Sequence, residues 1–203
     1  MIRILLIEDN DDHAELIERS LKKGFGKIQL QIAASAKESY HVLESKTFDL
    51  ILSDYYLPEV DGDTHIRELS RRAPAIPLVI ITGQGDEKIA AKSIQSGAED
   101  YIVKTREALE ALPTILKRAI VKHRSHQKNK RKEIRRHIDD QKEHAKKVLG
   151  EVAAIDRRVK KLKNGKNGKA SRSGQAHDGS ALEHLTQQIE SLKKFVKKMF
   201  IKK

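Results

Sequence analysis

Short apolar runs alternate with longer segments of helical period in the first half of the chain. The apolar runs lie at about residues 2–8, 28–33, 49–53, 77–82 and 100–103. Alternation of this kind is typical of βα units that build a parallel sheet. The run Leu78–Ile81 is continuously apolar, as expected for a strand that is buried on both faces. The pattern therefore predicts one compact α/β domain with five strands.

The segments between the apolar runs carry apolar residues three or four positions apart, which predicts four amphipathic helices. The predicted core-facing residues are Ala14, Leu16, Ile17 and Leu21 on the first helix, Tyr40, Val42 and Leu43 on the second, Ile66 and Leu69 on the third, and Ile89, Ala90 and Ile94 on the fourth. A fifth helix is predicted to begin near Pro113, because proline fits the first turn of a helix.

The second half of the chain has a different pattern, with one narrow apolar stripe on long helices. We predict four segments: a globular domain at 1–122, a long basic helix at 123–163 that continues its last helix, a flexible linker at 164–180, and an amphipathic helix at 181–203. The stripe residues follow heptad spacing, at Ile134, Ile138, Gln141, Ala145, Val148, Val152, Ile155, Val159 and Leu162, and then at Leu182, Leu185, Ile189, Leu192, Val196 and Met199. Such spacing is typical of coiled coils and helical hairpins.

Charges favour one way of burying these stripes. A parallel in-register dimer would place Glu151 opposite Asp156 and Arg158 opposite Lys163, and both pairs repel. We therefore predict an antiparallel hairpin of the two helices, which could dimerise into a four-helix bundle, in preference to a parallel zipper.

The net charge of +12 is unevenly distributed along the chain. Residues 1–116 contain 14 Lys and Arg against 20 Asp and Glu, a net charge of −6, whereas residues 117–203 contain 27 against 9, a net charge of +18. The chain has no cysteine, which excludes a disulfide framework and a thiolate metal site. No apolar run approaches the length that spans a bilayer. These features predict a cytoplasmic protein with no membrane span.

Polar residues follow the predicted strands at one end of the sheet. Glu8 and Asp9 follow the first strand, Asp54 the third, Thr82 ends the fourth, and Lys104 follows the fifth. In an open parallel sheet, ligands bind at the carboxyl ends of the strands. Clustered carboxylates would repel one another, and Mg²⁺ would neutralise them through its preferred oxygen ligands. A carboxylate beside Mg²⁺, a hydroxyl and an ammonium group suit phosphoryl acceptance as an aspartyl phosphate.

With these residues, segment 1–120 resembles the receiver domain of two-component response regulators. The stretch from Asp54 to Gly62, with Tyr55, Pro58 and Asp61, is similar to the family's phosphoacceptor loop. The resemblance implies a flavodoxin-like, doubly wound five-stranded sheet of order 2-1-3-4-5. It is followed here by an all-α hairpin or coiled-coil extension.

The resemblance also implies residue roles. Asp54 would accept phosphate from a sensor histidine kinase or phosphotransfer protein, and Lys104 would pair with the phosphoryl group. Thr82 would be the hydroxyl that moves toward the phosphate, and Tyr101 the aromatic residue whose burial follows. The Mg²⁺ ligands would be the side chains of Glu8, Asp9 and Asp54 and the backbone carbonyl of Tyr56, with Gly83 leaving the pocket accessible.

Two positions depart from the family pattern. Glu8 stands where many members have Asp, which lengthens one metal ligand by a methylene group. Thr105 stands where the family usually has a proline with a cis bond, and a cis bond before another residue costs about 2.5 to 4 kcal/mol. The resemblance therefore leaves the conformation of the Lys104–Thr105 bond open.

The output of the basic half remains open between several alternatives. A cationic run could bind nucleic acid through phosphate contacts, although no helix-turn-helix or zinc-ligand pattern accompanies it. The run comprises Lys128, Lys130, Arg131, Lys132, Arg135 and Arg136. A phosphorylation-controlled dimerisation scaffold is another alternative. A metal-dependent phosphohydrolase is a further, less favoured alternative, which sustained turnover of a phosphate ester would support.

Overall fold

The computed structural model describes residues 1–166 and 177–200 of the chain. Five strands and six helices follow one another as β1 Ile2–Ile7, α1 Asp11–Phe25, β2 Ile28–Ala33, α2 Ala36–Ser45, β3 Leu50–Asp54, α3 Gly62–Arg72, β4 Leu78–Thr82, α4 Glu87–Gln95, β5 Asp100–Val103, α5 Arg106–Lys166 and α6 His177–Phe200. The five predicted strands are confirmed to within one residue at each end.

The strands form one sheet of order β2-β1-β3-β4-β5, and every neighbouring pair is parallel. The sheet confirms the predicted α/β fold and the flavodoxin-like order implied by the family resemblance. The strand order reverses between β1 and β3, where Ile7 pairs with Ser53. In sheets of this type, the crevice at the carboxyl ends of these two strands is the usual ligand site.

Alternate residues of the buried strands contribute to two apolar cores, one on each face of the sheet. Ile4, Leu6 and Leu52 pack with α1 and α5, whereas Leu5 and Ile51 pack with the helices of the other face. This division follows from the two-residue period of a strand. Strands buried on both faces hold the carboxyl-end side chains on a rigid support.

Two of the predicted core-facing helix residues point outward instead. Leu16 on α1 is 50% exposed and Ile94 on α4 is 49% exposed, whereas Ala14, Ile17 and Leu21 are buried as predicted. Leu16 precedes Ile17 by one residue, about 100° around the helix, so both cannot face the sheet.

The last helix of the α/β domain begins earlier than predicted. α5 starts at Arg106, and Thr105 caps it by accepting a hydrogen bond from Ala108 N at its Oγ1 (3.1 Å). The prediction that Pro113 lies in the first turn is wrong, because Pro113 is inside the helix. Proline has no N–H to donate to the Leu109 carbonyl. The Ser20 hydroxyl of α1 donates to that carbonyl instead.

Contacts divide the chain into two compact units, Met1–Asn129 and Lys130–Lys203, and α5 contributes residues to both. Both helices extend into the segment 164–180 that the composition marks as a linker, since α5 ends at Lys166 and α6 begins at His177. The rest of that predicted linker, 167–176, lies outside the described residues.

Within the second unit, α6 packs antiparallel to the last part of α5. Val152 and Val159 of α5 form a small buried cluster with Ile189 of α6, whereas the later α6 residue Val196 lies beside Ala145, earlier on α5. The Lys193 ammonium group lies 2.6 Å from Asp156 Oδ2. The helical extension is therefore a hairpin, as the charge argument predicts.

Candidate functional site

Four polar side chains converge at the carboxyl end of the sheet. Glu8 directly follows β1, Asp54 and Thr82 are the last residues of β3 and β4, and Lys104 directly follows β5. The sheet order makes β3 the neighbour of both β1 and β4. The backbone N–H of Lys104 donates to the Thr82 carbonyl (2.7 Å), which extends the pairing of the last two strands beyond their ends.

The Lys104 ammonium group joins the two buried carboxylates. Its Nζ lies 2.7 Å from Asp54 Oδ2 and 2.7 Å from Glu8 Oε2. The three side chains are nearly inaccessible, with exposed fractions of 8% for Lys104, 9% for Asp54 and 0% for Glu8. Such a cluster needs internal pairing, because a charge buried without a partner costs several kcal/mol.

His13 is a member of this site that the sequence did not reveal. Its Nδ1 lies 3.1 Å from Glu8 Oε1 and 3.3 Å from Lys104 Nζ. Nδ1 can donate to the carboxylate or accept from the ammonium group, but one nitrogen cannot do both at once. The sequence places His13 in the first turn of α1, five residues after Glu8. This position indicates a site residue only once the structure shows that the turn lies next to the end of β1.

Two carboxylates share the site with one ammonium group, so negative charge exceeds positive charge. Burial raises the pKa of Glu8 above its ordinary value, and the neighbouring Asp54 carboxylate adds to this effect, while Lys104 opposes it. The pocket would therefore gain from a further cation. The combination of excess negative charge and oxygen donors is the electrostatic property expected of a divalent-cation site.

Asp54 is also oriented by the loop that follows it. The Tyr56 backbone N–H donates to Asp54 Oδ1 (3.2 Å), while the Tyr56 side chain is 49% exposed. Asp61 caps α3 by accepting from Thr64 N (3.0 Å). Gly62 follows, and a side chain at this position would collide with the ring of Tyr55. This close approach explains why the phosphoacceptor-like loop ends in Asp-Gly.

The two residues with an implied switch role both contact the β4–α4 loop. Thr82 is fully buried, and its Oγ1 accepts from the Gln84 backbone N–H at 3.3 Å. The Tyr101 hydroxyl donates to the Gln84 carbonyl at 3.1 Å, and its ring is half-buried. A shift of this loop would thus change the surroundings of both side chains together. Gly83, the residue between Thr82 and Gln84, is exposed.

The donor groups present fit a hard divalent cation. Ligand atoms of Glu8, His13 and Asp54 lie within 4.8 Å of one another, whereas Asp9, the next residue after Glu8, is exposed and is not part of this group. Carboxylate oxygens suit Mg²⁺, whereas an imidazole nitrogen does not. Within this group, the carboxylates of Glu8 and Asp54 are the ones that could hold Mg²⁺, and His13 would act as a neighbour of Glu8.

Three further features of the described residues concern their peptide bonds, the hydropathy of the helices and the start of α1. All of their peptide bonds are trans, including the Lys104–Thr105 bond. Over residues 1–166 and 177–200, none of the helices has an apolar stretch that could cross a membrane. Asn10 caps α1 through a hydrogen bond from His13 N (3.0 Å), and Asp11 and Asp12 occupy its first turn, as expected for solvated helix acids.

Comparison with known protein families matches residues 4–117 to the response regulator receiver domain. The C-terminal helical region lies beyond this match.

Curated relatives are 30–32% identical to the chain over the stretches that align. The methanogenesis regulatory protein FilR1 of Methanothrix harundinacea is 32% identical over 125 residues, which cover 60% of this chain and 28% of that protein. The transcriptional regulatory protein MalR of Bacillus subtilis is 30% identical over 151 residues, which cover 73% of this chain and 64% of that protein. The chain thus spans less than two thirds of either relative.

Solved structures share the fold of the first unit. A CheY-like response regulator receiver domain protein from Methanospirillum hungatei aligns with a TM-score of 0.56 and 24% identity, covering 62% of this chain and 98% of that one. The signal receiver domain of an HD domain-containing protein from Pseudomonas fluorescens aligns with a TM-score of 0.54 and 25% identity, covering 61% and 98%.

Proposed function

The chain belongs to the response regulator receiver domain family, and on this premise we propose that Asp54 accepts a phosphoryl group from a sensor histidine kinase or a phosphotransfer protein. The observation that carries the proposal is the position of Lys104 Nζ, 2.7 Å from both the Asp54 and the Glu8 carboxylates. Phosphoryl acceptance from such a kinase also implies a cytoplasmic location. In this role the chain is a signalling acceptor rather than an enzyme that turns over a substrate.

The chemical step is a transfer between two nucleophiles. An oxygen of the Asp54 carboxylate forms a bond to phosphorus while the bond between phosphorus and the donor histidine nitrogen breaks. The histidine keeps the electron pair of the broken bond and later takes up a proton. The product is an acyl phosphate on Asp54, whose extra negative charge lies beside the Lys104 ammonium group, where a charge-assisted contact stabilises it.

Glu8, Asp9, Asp54 and the Tyr56 backbone carbonyl are the proposed ligands of Mg²⁺. A bound Mg²⁺ would supply electrostatic stabilisation of the phosphoryl oxygens. The residues of the chain position the phosphate acceptor. The buried end of β3 fixes Asp54 in place, and the Tyr56 backbone N–H orients its carboxylate. Lys104 holds the acidic side chains together before phosphorylation and becomes a partner of the phosphoryl group afterwards.

Thr82 and Tyr101 are the proposed switch. Phosphorylation would favour the arrangement in which the Thr82 hydroxyl turns from the Gln84 backbone toward the phosphoryl group. The Tyr101 hydroxyl contacts the same Gln84 backbone, so this change would release the ring to move inward. This is a shift between two populations, driven by the new contacts of the phosphoryl group. The helical C-terminal half, with its basic run, is the proposed output module.

Phosphoryl transfer from a radiolabelled small phosphodonor in the presence of Mg²⁺ tests the site. We expect the full chain to be labelled and Asp54→Asn to remain unlabelled, because the amide is not a nucleophile for phosphorus. Asp12→Asn is the matched control, since it makes the same chemical change at an exposed first-turn residue, and it should label like the natural chain. Labelling that persists in Asp54→Asn would overturn the assignment.

A second candidate output is nucleic-acid binding by the basic run. Every residue from 128 to 140 is exposed on α5, including Arg135 and Arg136. Cationic side chains on such a helix can neutralise backbone phosphates and give a salt-dependent affinity.

Duplex DNA binding measured over a range of salt concentrations tests this candidate. Arg135→Gln with Arg136→Gln should lower the slope of log affinity against log salt by about 2, because two phosphate contacts are lost. The same neutralisation at Lys146 and Lys147 should leave the slope nearly unchanged. Absence of binding at physiological salt would exclude nucleic acid as the partner.

A further inference from the structure

The helical hairpin buries only half of its apolar stripe. The heptad position that contains Ala145, Val152 and Val159 on α5, and Ile189 and Val196 on α6, is less than a tenth exposed. Most of the other apolar heptad position remains in solvent, although Val148 is half-buried against this cluster. Its exposed members within the paired part of the hairpin are Ile155 (50% exposed), Leu162 (59%), Leu185 (41%) and Leu192 (45%). These four side chains are called the apolar face below.

The four side chains share one side of the hairpin. The seam is the line of buried residues between the two helices. Ile155, Leu162 and Leu192 each lie three residues after a seam residue, namely Val152, Val159 and Ile189, and Leu185 lies two turns before Leu192 on the same face of α6. Three residues turn an α-helix by about 300°, which places the side chain about 60° to one side of the seam. Because the two helices are antiparallel, the same offset points to the same side on both. The register given by Ile189 against Val152 and Val159 puts Leu192 near the level of Ile155, and Leu185 near the level of Leu162.

The opposite side of the seam is closed by polar contacts. Asp156, one residue after Ile155, accepts from Lys193 (2.6 Å) and from Lys160 (3.1 Å). Asp156 and Lys193 each lie four residues after a seam residue, which places them on the other side of the hairpin. The hairpin is therefore two-sided, with an ion-paired side and an apolar side, and four large aliphatic residues on one surface mark an interaction site.

The charges at the edge of the apolar face select the partner. Glu151 and Arg158 are exposed, lie seven residues apart on the same edge of α5, and flank Ile155 on either side along the helix. This edge therefore carries one charge of each sign, a pattern that a second copy of the same edge can match. A second copy of the chain, placed antiparallel with a two-fold axis at the level of Ile155, puts Glu151 of each protomer opposite Arg158 of its partner.

We propose that the apolar face is the dimerisation surface of this chain, and that two hairpins associate into an antiparallel four-helix bundle with α5 stacked on α5. The interface is isologous, so each contact occurs twice. Ile155 lies at the axis, Leu162 meets Val148 of the partner copy, and two Glu151–Arg158 pairs border the apolar contacts. This proposal is independent of phosphoryl acceptance, because it uses only residues of the hairpin.

Charge reversal in the full chain, followed by sedimentation equilibrium, tests the register. Glu151→Arg alone and Arg158→Glu alone each replace two attractive pairs by two repulsive ones, so each should raise the dimer dissociation constant by about tenfold. The double variant restores the opposite charges and should return the dissociation constant to near its original value. Arg157→Glu, which makes the same charge change on the outward side of α5, should have no comparable effect.

Ile155→Ser tests the apolar contact itself. Ile155 is half exposed in the hairpin, so its loss should leave helicity unchanged while shifting the chain toward monomer. A natural chain that is monomeric at every concentration overturns the proposal, and so does a dimer that Ile155→Ser does not weaken. Single charge reversals whose effects add, instead of cancelling, in the double variant would overturn the antiparallel α5 register.

Discussion

Individual buried polar residues in this chain owe their contacts to where the fold places them. Lys104 Nζ lies 2.7 Å from the carboxylates of Glu8 and Asp54, which are 96 and 50 residues away in the sequence. His65 on α3 is 1% exposed, and its Nδ1 lies 2.7 Å from the Tyr40 hydroxyl. The Nε2 of His65 is buried without a hydrogen-bond partner among the described residues, so the neutral ring is the form that the core tolerates.

The buried His65 predicts a loss of stability in mild acid. Burial lowers its pKa to about 4, from 6.5 in an unfolded chain. Above pH 6.5 the ring is neutral in both states, so it does not lower the stability of the fold. Between pH 6.5 and about 4, the unfolded chain binds a proton at this residue that the folded chain does not. We expect this residue alone to lower the free energy of unfolding by about 3 kcal/mol across that interval.

Denaturant unfolding of the natural chain and of His65→Gln, at neutral pH and near pH 4.5, measures this effect. Glutamine can still bond the Tyr40 hydroxyl but does not titrate, so the variant should lose less stability on acidification. Other titrating groups cancel in the comparison. A stability difference between the two proteins that stays constant with pH would contradict the prediction.

At the scale of elements, α1 contacts α5 at the point where α5 lacks one of its own backbone hydrogen bonds. Pro113 leaves the Leu109 carbonyl without its helical donor, and the Ser20 hydroxyl of α1 takes the place of the missing N–H. Gly24, one turn later on α1, lies so close to Pro113 that a side chain there would collide with the ring. The proline thus belongs to the contact between two helices rather than to the start of one.

A double-mutant cycle tests this interpretation of Ser20 and Pro113. Ser20→Ala should lower the free energy of unfolding by about 1 to 3 kcal/mol, because it leaves the Leu109 carbonyl without a donor. In the Pro113→Ala background the helix regains its own N–H at residue 113, so the same substitution should cost less. The coupling energy follows from four unfolding measurements. An equal cost of Ser20→Ala in both backgrounds would show that the two residues act independently.

At the scale of the whole molecule, the apolar cores of the first unit are complete by Ile120, but polar contacts continue beyond it. His123 Nδ1 lies 2.9 Å from Glu99 Oε2, and Gln127 Nε2 donates to the Pro74 carbonyl at 2.9 Å. The compact unit therefore runs to Asn129, seven residues beyond the boundary at 122 that the change in composition suggests.

Two truncated chains distinguish these boundaries. A chain ending at residue 129 should unfold cooperatively and still accept a phosphoryl group, because it keeps both cores and the contacts of His123 and Gln127. A chain ending at residue 122 should unfold at a lower temperature, since Glu99 and the Pro74 carbonyl lose those partners. Thermal unfolding followed by circular dichroism measures the difference. Identical midpoints would place the functional boundary at 122.

Periodicity in the sequence determined the elements of this protein. Short apolar runs and heptad patterns reflect which side chains must leave water, and that requirement is local, so the five strands and the helical hairpin could be predicted. The strand-end residues Glu8, Asp54, Thr82 and Lys104 could be predicted as neighbours for a related reason, because parallel strands bring their carboxyl ends to one edge.

Only the tertiary structure decided how particular side chains are used. His13 joins the site because α1 begins directly over Glu8, and Pro113 lies inside α5 because Ser20 of another helix supplies the missing donor. Ile155 and Val159 belong to one apolar stripe in the sequence, yet only Val159 is buried. A hairpin of two helices can bury only one edge of such a stripe. Packing in three dimensions therefore decides which stripe residues are buried and which remain available to a partner.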